Sequence, residues 1–462
     1  MTKNSQRLSS SFRDPSGFLF HQDGVLYRQV NQSYAANYDL LMESGLYENL
    51  KKSGFLIPHS EVEQNPFEPG IAYKVIEPAL VTFVSYPYEW SFGLLKEAAL
   101  ATLSIQKRAL KRGMILKDAS AYNIQFVDGK AALIDTLSFE AYEEGKPWDA
   151  YKQFCQHFLA PLALMAHVDI RLSQLLRNYI DGVPLDLAAK LLPARTRLNF
   201  GLLSHLHLHA KMQTQQADKA PKEISIKRGM RKEALIGLID SLRNTVKKLE
   251  WKPGGTEWGD YYEITNYSDA AAEHKKEIIT TWLADVKPQS VWDLGANDGT
   301  FSRLASEQGI FTLAFDIDPT AVEKNYRQIK SAKEKNLVPL VLDLTNPSPA
   351  IGWHNQERDS FIERAPAEMV FSLALIHHLA ISNNLPLGDI ARFFADAGKW
   401  LVIEFVPKSD SQVKKLLRSR KDIFDQYTLE DFEASFGEYF SIREKIAVAE
   451  SERFLFLMER KA

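Results

Sequence analysis

The sequence has little cysteine, no long hydrophobic run and no excess of either charge sign. Cys155 is the one cysteine among 462 residues, so an internal disulfide and a zinc site built from several cysteines are excluded. The longest apolar stretch, Phe158 to Ala166, contains Pro161 and is too short to cross a bilayer. The formal net charge of −3 does not favour general nucleic-acid binding.

The amino-terminal segment lacks the apolar core of a secretory signal, because the first fifteen residues are polar and include Lys3, Arg7 and Arg13. We therefore expect a cytoplasmic protein without a membrane span. A length of 462 residues favours two or three domains. The composition, 45% hydrophobic and 25% charged, is that of a soluble globular protein.

A change of composition divides the chain. Residues 211–232 are polar and rich in Lys and Gln, which indicates a linker. An apolar stripe at helical spacing follows and predicts a core-facing helix; its members are Leu235, Leu238, Ile239, Leu242, Val246 and Leu249. We predict one domain over residues 1–210, a linker with a connecting helix over 211–255, and a second domain over 256–462.

Strands and helices alternate in the second domain. This alternation predicts a parallel sheet with helices on both faces, and two consecutive strands at the end predict an antiparallel hairpin on that sheet. The candidate strands are 290–294, 311–316, 340–343, 369–373, 400–405, 442–448 and 454–458.

A glycine-bearing turn follows the first of these strands. The apolar run ends at Asp293, the turn Gly295-Ala296-Asn297-Asp298-Gly299 comes next, and Asp316 closes the following apolar run 21 positions after Gly295. Glycines let the backbone approach a ligand, and a carboxylate about 20 residues further on can take ribose hydroxyls. The pattern predicts a nucleoside-binding crevice.

These residues carry a resemblance to class I S-adenosylmethionine-dependent methyltransferases over residues 256–462. The resemblance implies an α/β, Rossmann-like sheet of seven strands with a reversed last strand. The D-x-G-x-N-x-G loop, with Asn297 where the family more often has glycine, would hold the methionine part of the cofactor through Asp293, Gly295 and Gly299. A nicotinamide dinucleotide site would instead require G-x-G-x-x-G and a longer second half.

The resemblance also implies roles for the next two strand ends. Asp316, followed by Ile317, would bind the ribose diol, and Asp343, followed by Leu344, would accept the adenine amino group. Tyr267, in the segment before the first strand, matches a position where related enzymes close a lid over the cofactor.

The residues after the fourth strand would face the methyl acceptor. Here they include His377 and His378, either of which could be a general base near neutral pH; the alternative is a packing or capping role. Two prolines and an aromatic residue, typical of exocyclic-amine nucleic-acid methyltransferases, do not follow this strand. Carbon-5 pyrimidine chemistry needs a cysteine nucleophile that the domain lacks. We expect a small-molecule or glycan-type acceptor rather than nucleic acid.

The first domain contains a second motif. Asp118 and Asn123 are spaced D-x₄-N, and Asp135 follows a hairpin that turns at Asp128-Gly129. With a hairpin and helix before it, this arrangement resembles protein kinases and aminoglycoside phosphotransferases. The resemblance implies a two-lobed α+β fold in which Asp118 orients an acceptor hydroxyl while Asn123 and Asp135 hold magnesium for ATP. The alternative is a loop capped by Asp118.

The first domain departs from that family at several positions. Leu116 replaces the usual histidine, Ser120 replaces a lysine, Arg28 stands where the strand-three lysine would be unless Lys74 serves, and Asp135-Thr136-Leu137 lacks the phenylalanine and glycine. Three hypotheses follow: a methyltransferase whose first domain binds substrate or nucleotide, a bifunctional kinase–methyltransferase, and a non-catalytic scaffold that senses nucleotide or cofactor.

Overall fold

The computed structural model describes residues 5–211, 230–254, 269–418 and 421–462. The chain divides into two compact units. The first comprises Met1–Lys252 with Ile351–Arg358, and the second comprises Pro253–Ala350 with Asp359–Ala462. Within the described ranges, no helix is long and apolar enough to cross a membrane.

The first unit opens with a five-stranded antiparallel sheet in the order β1-β2-β3-β5-β4. Its strands are β1 Ser5–Arg7, β2 Gly17–Gln22, β3 Val25–Asn31, β4 His59–Glu61 and β5 Ala72–Pro78. Asp23 and Gly24 both have positive φ values, 53° and 84°, as a tight hairpin turn requires. This turn joins β2 and β3 into a hairpin.

Two short antiparallel pairs follow a long helix in the first unit. β6 Met114–Leu116 pairs with β9 Phe139–Ala141, and β7 Ile124–Val127 pairs with β8 Lys130–Leu133. The helices are α1 Ala35–Glu43, α2 Leu46–Lys52, α3 Phe92–Lys111, α4 Tyr151–Phe154, α5 Ala160–His167, α6 Leu175–Asn178, α7 Leu185–Leu191, α8 Phe200–Leu202 and α9 Lys232–Lys248.

Helix α9 belongs to the core of the first unit. Leu235, Ile239, Leu242 and Val246 are completely buried, and α9 packs along α3. Lys107 on α3 binds Asp240 on α9 at 2.7 Å. The apolar stripe read from the sequence is therefore core-facing, as predicted.

The second unit is built on a seven-stranded sheet in the order β12-β11-β10-β13-β14-β16-β15. The strands are β10 Ser290–Leu294, β11 Phe311–Asp316, β12 Leu337–Val341, β13 Ala367–Ser372, β14 Gly398–Phe405, β15 Phe440–Ala447 and β16 Phe454–Arg460. The first five are parallel, and β16 is antiparallel to both β14 and β15. The predicted parallel sheet and its terminal antiparallel hairpin are confirmed.

Helices cover this sheet. They are α10 Asp269–Val286, α11 Ser302–Ser306, α12 Pro319–Ala332, α13 Leu387–Ala397, α14 Ser411–Leu417 and α15 Leu429–Tyr439. The main core cluster joins Trp282 of α10 to Val291, Phe371 and Leu455 of the sheet. Because β10 to β13 run parallel, their carboxyl ends lie along one edge, and loops there can converge on a ligand.

Candidate functional site

A cavity of about 670 Å³ lies in the second unit at the carboxyl edge of the sheet. Most of the predicted cofactor residues line it, namely Asp293, Gly295, Asn297, Asp316, Ile317, Asp343 and Leu344, whereas Gly299 does not. The other lining residues are Asp269, Ala272, Lys275, Ala296, Phe301, Leu342, Thr345, Leu373, Ala374, Leu375, His378, Leu379, Ser382, Asn383 and Leu416. Four successive strand ends thus contribute to one concave surface.

The glycine turn after β10 has a backbone that its residue types explain. Gly295 and Gly299 have φ values of 84° and 80°, which glycine adopts without a steric penalty. A Cβ at position 299 would overlap the Asn325 amide. Asn297 has a φ of 50°, and asparagine tolerates this left-handed conformation better than most residues, which accounts for its place in a glycine-rich turn.

Asp316 fixes this turn against the next strand. Its Oδ2 accepts a hydrogen bond from the Asn297 N–H and its Oδ1 accepts one from the Asp318 N–H, both at 2.8 Å. Burial raises the pKa of Asp316 to about 6. Asp316 also lines the cavity, and a carboxylate with these bonds still has acceptor capacity for ligand hydroxyls.

Asp293 lies beneath the turn. It is buried, and its Oδ2 accepts a hydrogen bond from the Ser302 hydroxyl at 2.6 Å. Burial raises the pKa of Asp293 to about 7. Asp343, by contrast, is only partly buried and accepts two bonds at its Oδ1, from the Thr345 N–H at 2.8 Å and hydroxyl at 2.7 Å.

The raised pKa of Asp293 makes stability depend on pH. Between about pH 4 and 7 the folded form holds a proton that the unfolded chain has released, so this stabilising contribution is present at low pH and is lost as pH rises through about 7. For Asp293→Asn we expect the unfolding free energy of the second unit, relative to wild type, to rise by about 2–3 kcal/mol from pH 5 to pH 8. Urea denaturation at both pH values measures it; a difference independent of pH would contradict it.

The two adjacent histidines lie in different environments. His378 lines the cavity, and burial lowers its pKa to about 4, so its ring is neutral at pH 7. His377 is completely buried, does not line the cavity, and neither ring nitrogen makes a hydrogen bond within the described structure. Burial, followed by the neighbouring His378 and Arg453, lowers the pKa of His377 well below its ordinary value. Only His378 is placed to meet a ligand.

Lys275 is a cavity residue that the motifs did not reveal. It lies on α10 with Ile278, Ile279 and Trp282 on the buried face, and its ammonium binds Glu404 at 2.5 Å. The sequence signal that could have revealed Lys275 is that a lysine stands among the apolar positions of this helix. Tyr267, the predicted lid residue, lies outside the described residues.

The charged residues that line the cavity fit S-adenosylmethionine. Four of the lining side chains are carboxylates and one is an ammonium, and that ammonium is already paired. An acidic lining favours a ligand that carries positive charge, as a sulfonium and an α-ammonium do. The glycine turn and Asp316, hydrogen-bonded to each other, form the close-approach wall that a nucleoside needs.

The predicted magnesium residues of the first unit lie together but bind different partners. Asp135 follows β8, and its Oδ1 binds the Arg28 guanidinium at 2.7 Å and accepts the Leu137 N–H at 3.1 Å. Its Oδ2 accepts the Ser138 hydroxyl at 2.5 Å. Burial first, and then the charge of Asp135, raises the pKa of Asp118.

This arrangement differs from an open magnesium site. Magnesium binds anionic oxygens in octahedral geometry, and here the Asp135 carboxylate is paired with the Arg28 guanidinium, which a metal ion would have to displace. The Oδ1 of Asp118 accepts the Ser120 N–H at 2.9 Å. The Asn123 side chain lies beside the Asp118 carboxylate.

Known proteins resemble the chain to different extents. The nodulation protein NoeA of Rhizobium meliloti (strain 1021) is 34% identical over 462 residues, which cover 98% of this chain and 96% of that protein. No protein-family model matches. Magnesium protoporphyrin IX methyltransferase (ChlM) from Synechocystis PCC 6803, solved with bound SAH, is 16% identical with a TM-score of 0.32 and covers 44% of this chain and 93% of its own. The bifunctional kinase–methyltransferase WbdD is 11% identical with a TM-score of 0.29, over 45% of this chain and 43% of its own.

Proposed function

The chain belongs to the family of the nodulation protein NoeA, and we propose that it is an S-adenosylmethionine-dependent methyltransferase. The observation that carries the proposal is the convergence of three strand-end acids and a glycine turn on one cavity. Asp293, Asp316 and Asp343 all line it beside Gly295. Each of these residues was picked out by its position in the sequence, and the fold brings them together.

Different residues of the cavity would bind different parts of the cofactor. We infer that Asp316 accepts hydrogen bonds from the ribose diol, since it lines the cavity beside the glycine turn. Asp343, with Leu342 and Leu344 beside it, would take the adenine end. The turn from Gly295 to Asn297, with Asp293 beneath it, would hold the amino-acid end.

When bound, S-adenosylmethionine would supply a methyl group to the acceptor nucleophile, and its sulfur would leave as a neutral thioether. The protein then has to align that nucleophile and receive its proton. The segment after β13 forms the wall for the acceptor, and Leu375, His378 and Leu379 face the cavity from it. His378 is neutral at pH 7 because burial lowers its pKa to about 4. Its unprotonated ring nitrogen can accept a proton, but as a weaker base than a histidine of ordinary pKa.

The acceptor is proposed to be a small molecule or a glycan-type group. A cavity of about 670 Å³ has the size of an ordinary small-ligand site. Its acidic lining opposes a polyanionic acceptor such as nucleic acid, whose binding relies on Lys and Arg contacts to phosphates. The first unit is proposed to hold the substrate without phosphoryl transfer, because Arg28 occupies Asp135.

Transfer of a labelled methyl group tests this function. The full chain is incubated with methyl-labelled S-adenosylmethionine and an extract of its own organism, and labelled products are resolved by size and polarity. We expect wild-type transfer, and a loss of about 100-fold in His378→Ala. This is the lower end of the 10²–10⁴-fold contribution of a general base, because the pKa of His378 lies below the working pH. SAH affinity should stay within about threefold, since the cofactor acids are intact.

His21→Ala is the matched control, because His21 is exposed on β2 of the first unit. Unchanged transfer in His378→Ala would remove the base role and leave methyl transfer standing. A wild-type chain that bound neither SAH nor S-adenosylmethionine would overturn the proposed function itself.

A further inference from the structure

A buried group of charges lies directly behind the cavity. Glu404 on β14 is completely buried, and its Oε2 accepts hydrogen bonds from the Lys275 ammonium at 2.5 Å and from the Ala374 N–H at 2.8 Å. Its Oε1 accepts one from Arg453 at 3.3 Å, and Arg453 also donates to Asp410 at 2.8 Å. Two cations and two anions therefore form one network, which we call the Glu404 network.

The Glu404 network reaches three walls of the cavity. Lys275 belongs to α10, and its ammonium lies 4.5 Å from the ring centre of Phe301, which also lines the cavity. Ala374 begins the wall after β13. Asp410 caps α14 by accepting the Gln412 N–H at 2.8 Å, and that helix places Leu416 in the lining.

Stability alone does not account for these charges. Taking charges out of water is costly, and well-packed apolar residues in place of a buried ion pair are often neutral or stabilising. Ala374 has a φ of 50°, a left-handed conformation that is unfavourable for a residue other than glycine. Such strain persists only where surrounding contacts hold it, and the bond to Glu404 is such a contact.

Any displacement of Ala374 would also change the contact that the next residue makes with the glycine turn. Leu375 packs so closely on Gly295 that a Cβ at that glycine would lie 3.2 Å from Leu375 Cδ1. His378 follows three residues later on the same wall. The position of Ala374 therefore fixes both the contact with the cofactor turn and the place of the candidate base.

We propose that Glu404 is a positioning residue, which holds Ala374 and thereby sets the acceptor-facing wall against the cofactor turn. The proposal rests on the proposed function for what this wall faces. Lys275 and Arg453 balance the charge of Glu404, so that a carboxylate can be buried at this point and keep one oxygen directed at the Ala374 N–H.

Two variants separate positioning from charge balance. Lys275→Met keeps the Glu404–Ala374 and Glu404–Arg453 bonds. Lys275→Met combined with Glu404→Met removes the ion pair completely, leaves Arg453 with Asp410, and deprives the Ala374 N–H of its acceptor. If Glu404 only balanced charge, the double variant would equal or surpass the single one in every measurement.

We expect the opposite order in two local measurements. Hydrogen–deuterium exchange of the peptide covering residues 373–382 should be about tenfold faster in the double variant than in the single one, because a backbone N–H loses its buried partner. SAH affinity, measured by calorimetry on the full chain, should be about tenfold weaker. The melting temperature of the second unit should not fall below that of the single variant.

Equal exchange rates in the two variants would overturn the positioning role. If the wild-type chain bound no SAH, the proposed function would fail, yet the exchange comparison would still decide whether Glu404 holds Ala374. The two failures are therefore distinguishable.

Discussion

Asp316→Ala is expected to raise the SAH dissociation constant of the full chain by about 100-fold or more. A hydrogen bond to a charged group contributes about 1.5–3 kcal/mol, and a ribose diol would make two with this carboxylate. The same substitution removes the acceptor for the Asn297 and Asp318 N–H groups, so the cofactor turn also loses its support. Isothermal titration calorimetry with SAH measures the change.

The control for this prediction is Asp389→Ala. Asp389 is exposed on α13 and pairs with Arg392 at 3.2 Å, away from the cavity lining. Its replacement should leave SAH affinity unchanged, as surface substitutions usually have small effects. SAH binding retained in Asp316→Ala, with the chain folded by circular dichroism, would contradict the site assignment.

Much of the second unit could be predicted because its signals are local. The strand ends carry acids, and the turn needs residues that accept positive φ, so Gly295, Asn297 and Gly299 identify themselves in sequence. The edge strand was predicted less well: β12 runs from Leu337 to Val341, three residues earlier than expected. It contains Pro339, which reads as a strand breaker but is tolerated at a sheet edge, where one side needs no ladder bond.

The contacts that complete the site could not be predicted, because they join distant parts of the chain. Lys275 and Glu404 are distant in sequence and form an ion pair only in the folded protein. Adjacent residues in a helical turn point in directions about 100° apart, so the sequence could not tell which of His377 and His378 faces the cavity. In the first unit the motif of Asp118 and Asp135 could be recognised from its spacing in the sequence. The ion pair between Arg28 and Asp135 forms only in the folded protein and could not be recognised in that way.

Asp135→Asn is expected to destabilise the first unit rather than to abolish a magnesium-dependent activity. The Arg28 and Asp135 side chains are only 10% and 15% exposed, and removing one partner of a buried pair costs about 3–5 kcal/mol because the other charge stays uncompensated. Asp14, 3.9 Å from the Arg28 guanidinium, offsets part of this, so we expect a loss of about 3 kcal/mol. Urea denaturation of the full chain measures it.

The combined Arg28→Met and Asp135→Asn variant tests the cause of that loss. With no uncompensated guanidinium left, most of the stability should return. Magnesium with ATP should not raise the melting temperature of the wild-type chain, since a ligand stabilises a fold only if it binds the folded form. Asp128→Asn, on an exposed turn, should behave as wild type throughout. Magnesium-dependent ATP turnover that Asp135→Asn abolished would contradict this account and favour a bifunctional kinase–methyltransferase, because Asp135 would then have to exchange its guanidinium partner for a metal ion.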